Sequence, residues 1–119
     1  MEKKLQDSEL KVMNVLWHEG EATAKHIADV LGDEVGWNVN TTYTLIKRCI
    51  EKGAAERREP GFLCRPLIPK EEVQRAETDR LIDKVFDGSA DKLFAALLGR
   101  KKLPPAEIEK LKAIIGKLE

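Results

Sequence analysis

Apolar residues recur at helical spacing through the first third of the chain. Leu10, Met13, Leu16 and Trp17 form one stripe, with Val12 and Val15 beside it, which predicts a helix over 7–17. Asp7 or Ser8 is its expected N-cap and Gly20 its expected stop. Thr23 then caps a short second helix over 23–31, with Ala24, Ile27, Ala28 and Leu31 as its inner face and Gly32 as its end. Residues 33–39 read as a turn with Trp37 buried. A third amphipathic helix follows over about 40–52. Thr42, Leu45, Ile46 and Cys49 point one way, and Asn40, Thr44, Lys47, Arg48 and Glu51 the other. Gly53 terminates it.

The period then changes. Short strands at about 54–58 and 62–66 flank Glu59-Pro60-Gly61, a turn signal. Leu67-Ile68-Pro69 leads away, and from Lys70 the composition shifts to a long charged helix over 70–86. Asp87-Gly88-Ser89 breaks it. A short apolar helix over 90–98, a basic link over 99–103 and a last helix over 104–117 complete the pattern. The expected fold class is mainly α, with α+β character in the first half. A winged helix-turn-helix domain over 1–69 is followed by an extended three-helix arm over 70–119.

Three amphipathic helices of this size enclose little interior of their own. The simplest remedy is a second copy of the same arm, so a twofold homodimer is predicted. Its apolar positions are Val73, Leu81, Val85, Phe86, Leu93, Phe94, Leu97, Ile108, Leu111, Ile115 and Leu118. The alternative is a monomer whose arm folds back on the first half.

Composition narrows the function. Hydrophobic residues make up 42% and charged residues 35%, a foldable, helix-rich balance. Aromatics at 5% leave no stacking platform of the kind single-strand binders use. Apolar runs such as Phe94–Leu98 are too short to span a membrane, so no membrane insertion is expected. The first residues lead into no apolar stretch, so no export signal is expected and the protein is placed in the cytoplasm with reduced cysteines.

Net charge is zero, with 21 basic and 21 acidic residues, which argues against indiscriminate coating of nucleic acid. Locally the balance differs. Between Lys47 and Arg58 the basic residues are Lys47, Arg48, Lys52, Arg57 and Arg58, and the acidic ones only Glu51 and Glu56.

A groove-sized helix beside a basic ribbon is how a winged helix grips DNA. The candidate DNA-binding residues are Asn38, Asn40, Thr41, Tyr43, Thr44, Lys47, Arg48, Arg57 and Arg58. Asn pairs with adenine edges, threonine methyls meet thymine, and Arg or Lys meets guanine or phosphate. Tyr43 is expected either at the DNA backbone or over the flank of the core. Neighbours on a strand point to opposite faces, so one of Arg57 and Arg58 is expected to reach DNA directly. Two readings stand beside this one. The cations are merely solvated surface groups, or the winged helix serves protein contact without DNA.

Other chemistry is sparse. His18, His26, Cys49 and Cys64 form no local ligand pair, so no metal site and no cofactor are expected. Cys49 is expected in the core and Cys64 facing solvent on the wing, where a redox or metal role is the minor alternative. No phosphate-binding glycine loop, nucleophile elbow or metalloprotease motif occurs, and no catalytic residue is assigned.

The segments LQDSELKVMNVLWHEGEATAKHIADVL, GWNVNTTYTLIKRCIEKGAAERRE, PLIPKEE, GSADKLFAALL and LPPAEIEKLK resemble the penicillinase-repressor (BlaI/MecI-type) family of bacterial transcriptional regulators. The resemblance runs from about Leu5 to Leu118. It implies dimers that bind pseudo-palindromic operators and repress transcription. It also implies a partner, a regulatory protease linked to a membrane sensor, that cuts the dimerisation region. Three departures stand out. His26 replaces the glutamate usual in the capping box after TAK. Pro60-Gly61-Phe62 lacks the usual wing arginine. Leu93-Phe94-Ala95-Ala96-Leu97 lacks the Asn-Phe bond cut in antibiotic-responsive members. The cysteine pair of copper-responsive relatives is also absent, since no cysteine follows Cys64.

Overall fold

The computed structural model describes residues 4–99 and 104–117. The first helix, α1 (Asp7–Glu19), begins one residue earlier in its capping than expected. Its N-cap is Gln6, not Asp7 or Ser8. Glu9 reaches back to accept the Gln6 backbone N–H at 2.8 Å, closing a capping box. That placement lets Asp7 lie in the first turn, where its charge meets the positive end of the helix. Gly20 at φ 86° ends α1 as expected.

A two-residue strand, β1 (Ala22–Thr23), precedes α2 (Ala24–Val35). Thr23 caps α2 by accepting from His26 N–H at 3.1 Å, so the Thr23 half of the cap survives the histidine. The histidine ring turns instead to Glu19, 2.9 Å away. The helix does not stop at Gly32. It runs to Val35 and ends on Gly36 in the left-handed region (φ 79°), whose N–H closes on the Leu31 and Gly32 carbonyls. Gly32 is tolerated inside the helix, with the Trp37 carbonyl close above it. Trp37 is half-buried against the core rather than fully enclosed.

The third helix, α3 (Val39–Glu51), has Asn38 as N-cap and Lys52 as C-cap, a shift of one residue from expectation at each end. The hairpin strands are β2 (Ala55–Arg58) and β3 (Leu63–Pro66). The sheet has three strands, in the order β1-β3-β2, all antiparallel. The pairing Ala22↔Cys64 and Thr23↔Leu63 ties the hairpin to the start of α2.

The chain divides into two compact units between Gln74 and Arg75. The first closes around Val12, Met13, Leu16, Ile27, Leu31, Leu45, Ile46, Cys49 and Cys64. Burial of each larger side chain stabilises by roughly 1.5–3 kcal/mol. Cys64 is fully buried, not on the solvent side of the wing as expected. The face of β3 that carries it leans on the helices, and β1 closes over its edge. Trp17 donates its indole N–H to the Ile68 carbonyl at 2.9 Å, and Ile68 and Val73 pack on this same core. The structure thus places Val73 against the first unit's interior.

Helix α4 (Lys70–Val85) begins in the first unit; α5 (Ala90–Leu98) and α6 (Pro105–Lys117) belong to the second. Asp87 (φ 54°) and Gly88 (φ 77°) make the break after α4. None of the described residues of these three helices is buried. Leu81, Val85, Phe94 and Ile115 are exposed, while Phe86, Leu93, Leu97, Ile108 and Leu111 are half-buried. Leu118 and the basic link over 100–103 lie outside the described residues.

Candidate nucleic-acid interface

Helix α3 forms because its apolar and polar residues segregate by face. Thr42, Leu45, Ile46 and Cys49 are buried, and Asn40, Thr44, Lys47, Arg48 and Glu51 are exposed. The division matches the expected faces. At the start of the helix the Asn38 side chain is engaged as the cap, its Oδ1 accepting the Thr41 N–H at 2.8 Å. Thr44 donates its hydroxyl to the Asn40 carbonyl at 3.0 Å, which restrains its rotamer. Thr41 is half-buried beside them.

An open cleft of about 490 Å³ runs along this face, lined by Ser8, Trp37, Asn40, Thr44 and Arg48 among others. Ser8 and Trp37 were not among the expected contact residues. Ser8 reaches the cleft because α1 starts beside α3, a tertiary proximity with no trace in local spacing.

The wing meets the other flank of α3. Phe62 stands edge-on to Tyr43, with ring centroids 5.7 Å apart and planes at 88°. Tyr43 is half-buried over the flank of the core. The Arg57 guanidinium lies 3.6 Å above the Phe62 ring and pairs with Glu59. Glu59 also accepts the Phe62 N–H, and these contacts hold its carboxyl below the ordinary carboxylate range. Arg57 and Lys47 thereby line one hollow of about 260 Å³ with Ile50, Glu51 and Phe62.

Arg58 points the other way, paired with Glu56 at 2.8 Å. The register explains the split: Arg57 lies opposite Cys64, and Arg58 opposite Leu63. The structure therefore brings Asn40, Thr44, Lys47, Arg48 and Arg57 to α3 or its flank, and sets Arg58 on the opposite face of the hairpin. Exposed ion pairs such as Arg57–Glu59 and Arg58–Glu56 are weak, so either arginine exchanges its carboxylate for a phosphate at little cost.

Behind α3, Glu9 is 2% exposed and pairs with Lys52 at 2.5 Å. Burial alone would raise its carboxyl. The Gln6 N–H, the Lys52 ammonium and the Arg48 guanidinium outweigh burial and hold it below the ordinary range. Among the described residues no group of three or more His, Cys, Asp or Glu is placed to hold a metal ion. No helix among them is long and apolar enough to cross a membrane.

The sequence model of the penicillinase repressor family matches residues 5–117. The methicillin resistance regulatory protein MecI of Staphylococcus aureus (strain N315) is 27% identical over 116 residues, covering 96% of this chain and 94% of that protein. Among solved structures, the DNA-binding domain of the repressor BlaI aligns with TM-score 0.55 and 29% identity, over 60% of this chain and 93% of that one. The monomeric form of Bacillus licheniformis BlaI in complex with the blaP half-operator aligns with TM-score 0.53 and 27% identity, over 60% of this chain and 90% of that one.

Proposed function

The chain belongs to the penicillinase repressor family, and we propose that it is a sequence-specific DNA-binding transcriptional repressor that acts as a homodimer on a pseudo-palindromic operator. The observation that carries this reading is the division of α3. Its inner face is sealed into the core while Asn40, Thr44 and Arg48 stay open along one cleft and Lys47 lines the hollow beside Arg57. That is the surface a recognition helix needs in the major groove. A relative of the same fold is solved on a half-operator, which supports the same use here.

In this account residues 1–69 bind DNA and residues 70–119 pair two copies. Arg57 reaches the backbone beside α3 and Arg58 the outer side of the wing. Thr41 and the free amides at the start of α3 take a phosphate. Asn38 acts through its cap rather than through a base. The exposed Leu81, Val85, Phe94 and Ile115, with the half-buried apolar residues beside them, are covered by the second copy's arm. The protein works in the cytoplasm and is not an enzyme. A sensor-linked protease would have to cut inside α5, where Leu93-Phe94 stands in place of Asn-Phe, and so would first have to unwind a helix.

A duplex from the region upstream of the protein's own gene, titrated at increasing salt, tests the reading. Specific binding is expected to weaken steeply, with a slope of about −0.9 per phosphate contacted. Flat or absent binding supports a winged helix used for protein contact instead.

A further inference from the structure

The pair between buried Glu9 and half-buried Lys52 lies behind the reading face and joins two elements far apart in sequence. Glu9 is in the first turn of α1, and Lys52 is the C-cap of α3. The Lys52 ammonium donates to Glu9 Oε1 and to the Lys4 carbonyl at 2.7 Å. The same Glu9 oxygen accepts the Gln6 N–H, and the Cys49 thiol approaches the Glu9 carbonyl at 3.6 Å. The Lys52 backbone N–H returns to the Arg48 carbonyl, so the anchor sits one turn from a candidate base-reading side chain.

A buried ion pair is poor evidence for stability, because desolvation of both charges offsets their attraction. Its directional bonds fix geometry instead. Here they converge on the carboxy-terminal end of α3, whereas the Asn38 cap at the other end closes on Thr41 of the same helix. Contact residues must be held to within about 0.5 Å to work as a set. A helix free to tilt at one end does not meet that tolerance at Arg48.

We propose that the Glu9–Lys52 pair is a positioning device that sets the angle of α3 against α1 and so holds Thr44 and Arg48 in register with base edges. This rests on the reading of α3 as the DNA-reading helix. The informative variant is the double replacement Glu9→Gln with Lys52→Met. It leaves net charge unchanged and no buried charge unpaired. Non-specific attraction to DNA is therefore preserved.

The full chain is titrated with a duplex from its own upstream region and with a scrambled duplex of the same composition, each corrected for the folded fraction. The double variant is expected to lose about tenfold in affinity for the first duplex, the size of one good base contact. Its affinity for the scrambled duplex is expected to stay within about twofold. Lys52→Arg, which keeps the pair, is expected to retain most of the discrimination. Should that double variant not fold, Glu9→Gln with Lys52→Gln, which also keeps net charge and leaves no buried charge unpaired, carries the same comparison. Equal losses on both duplexes, or none on either, overturn the proposal. Failure of the unaltered protein to prefer its upstream duplex overturns the parent reading instead.

Discussion

Arg48 is the candidate base-reading side chain whose removal tests the proposed contact set most sharply. It is exposed on α3, lines the cleft and has the Glu9 charge behind it. Arg48→Ala is expected to cost about 1–3 kcal/mol of operator binding if the guanidinium meets a base. A titration with no loss removes it from the contact set. Glu9 adds a dependence on acid. Its folded value lies below the ordinary 4.5, so between those values the unfolded chain holds the extra proton. The stability this contributes is present above about pH 4.5 and is lost as the pH falls through the folded value. Thermal melts are expected to show a steeper acid limb for the unaltered protein than for Glu9→Gln, and parallel limbs would contradict that. The cysteines behave oppositely. Burial, aided by the Glu9 charge, pushes the Cys49 thiol up to about 12, and burial raises Cys64 against the pull of Arg57. Because the thiolate is the reactive form, neither is expected to react with iodoacetamide until the fold is opened by denaturant. Rapid native labelling of Cys64 would show the wing face to be open.

Among the elements, α3 was legible because its faces separate cleanly at helical period, with Leu45, Ile46 and Cys49 against Lys47 and Arg48. Helix α2 was not legible to its end. A glycine at position 32 resembles a stop, and only the fold shows Gly36 supplying the left-handed turn instead. Strand β1 is too short to carry a period at all, and its partner β3 lies forty residues away. Without β1 nothing in the alternation tells which face of β3 is inner, which is why Cys64 was misplaced. The start of α3 depends on Asn38, and Asn38→Ala is expected to destabilise the fold by about 1 kcal/mol. Denaturant melts measure it, and an unchanged midpoint would mean the cap is dispensable.

For the whole molecule, the order of elements and the local basic surplus between Lys47 and Arg58 already separated a unit with one basic face from a helical arm with an apolar stripe. The pairing of two arms remained an expectation, because an exposed apolar stripe does not name its partner. Leu81→Asp and Phe94→Asp are each expected to shift the protein towards the mass of one chain in sedimentation, since a charge cannot be left unpaired in an apolar seam. An unchanged mass would place the pairing surface elsewhere. The most direct test of the account is a footprint of the full chain and of Arg48→Ala on the DNA upstream of its own gene. The account predicts two protected segments a helical turn or a multiple apart for the unaltered protein, and their loss for the variant at the same concentration. Protection that is absent, or that persists unchanged without Arg48, would contradict it.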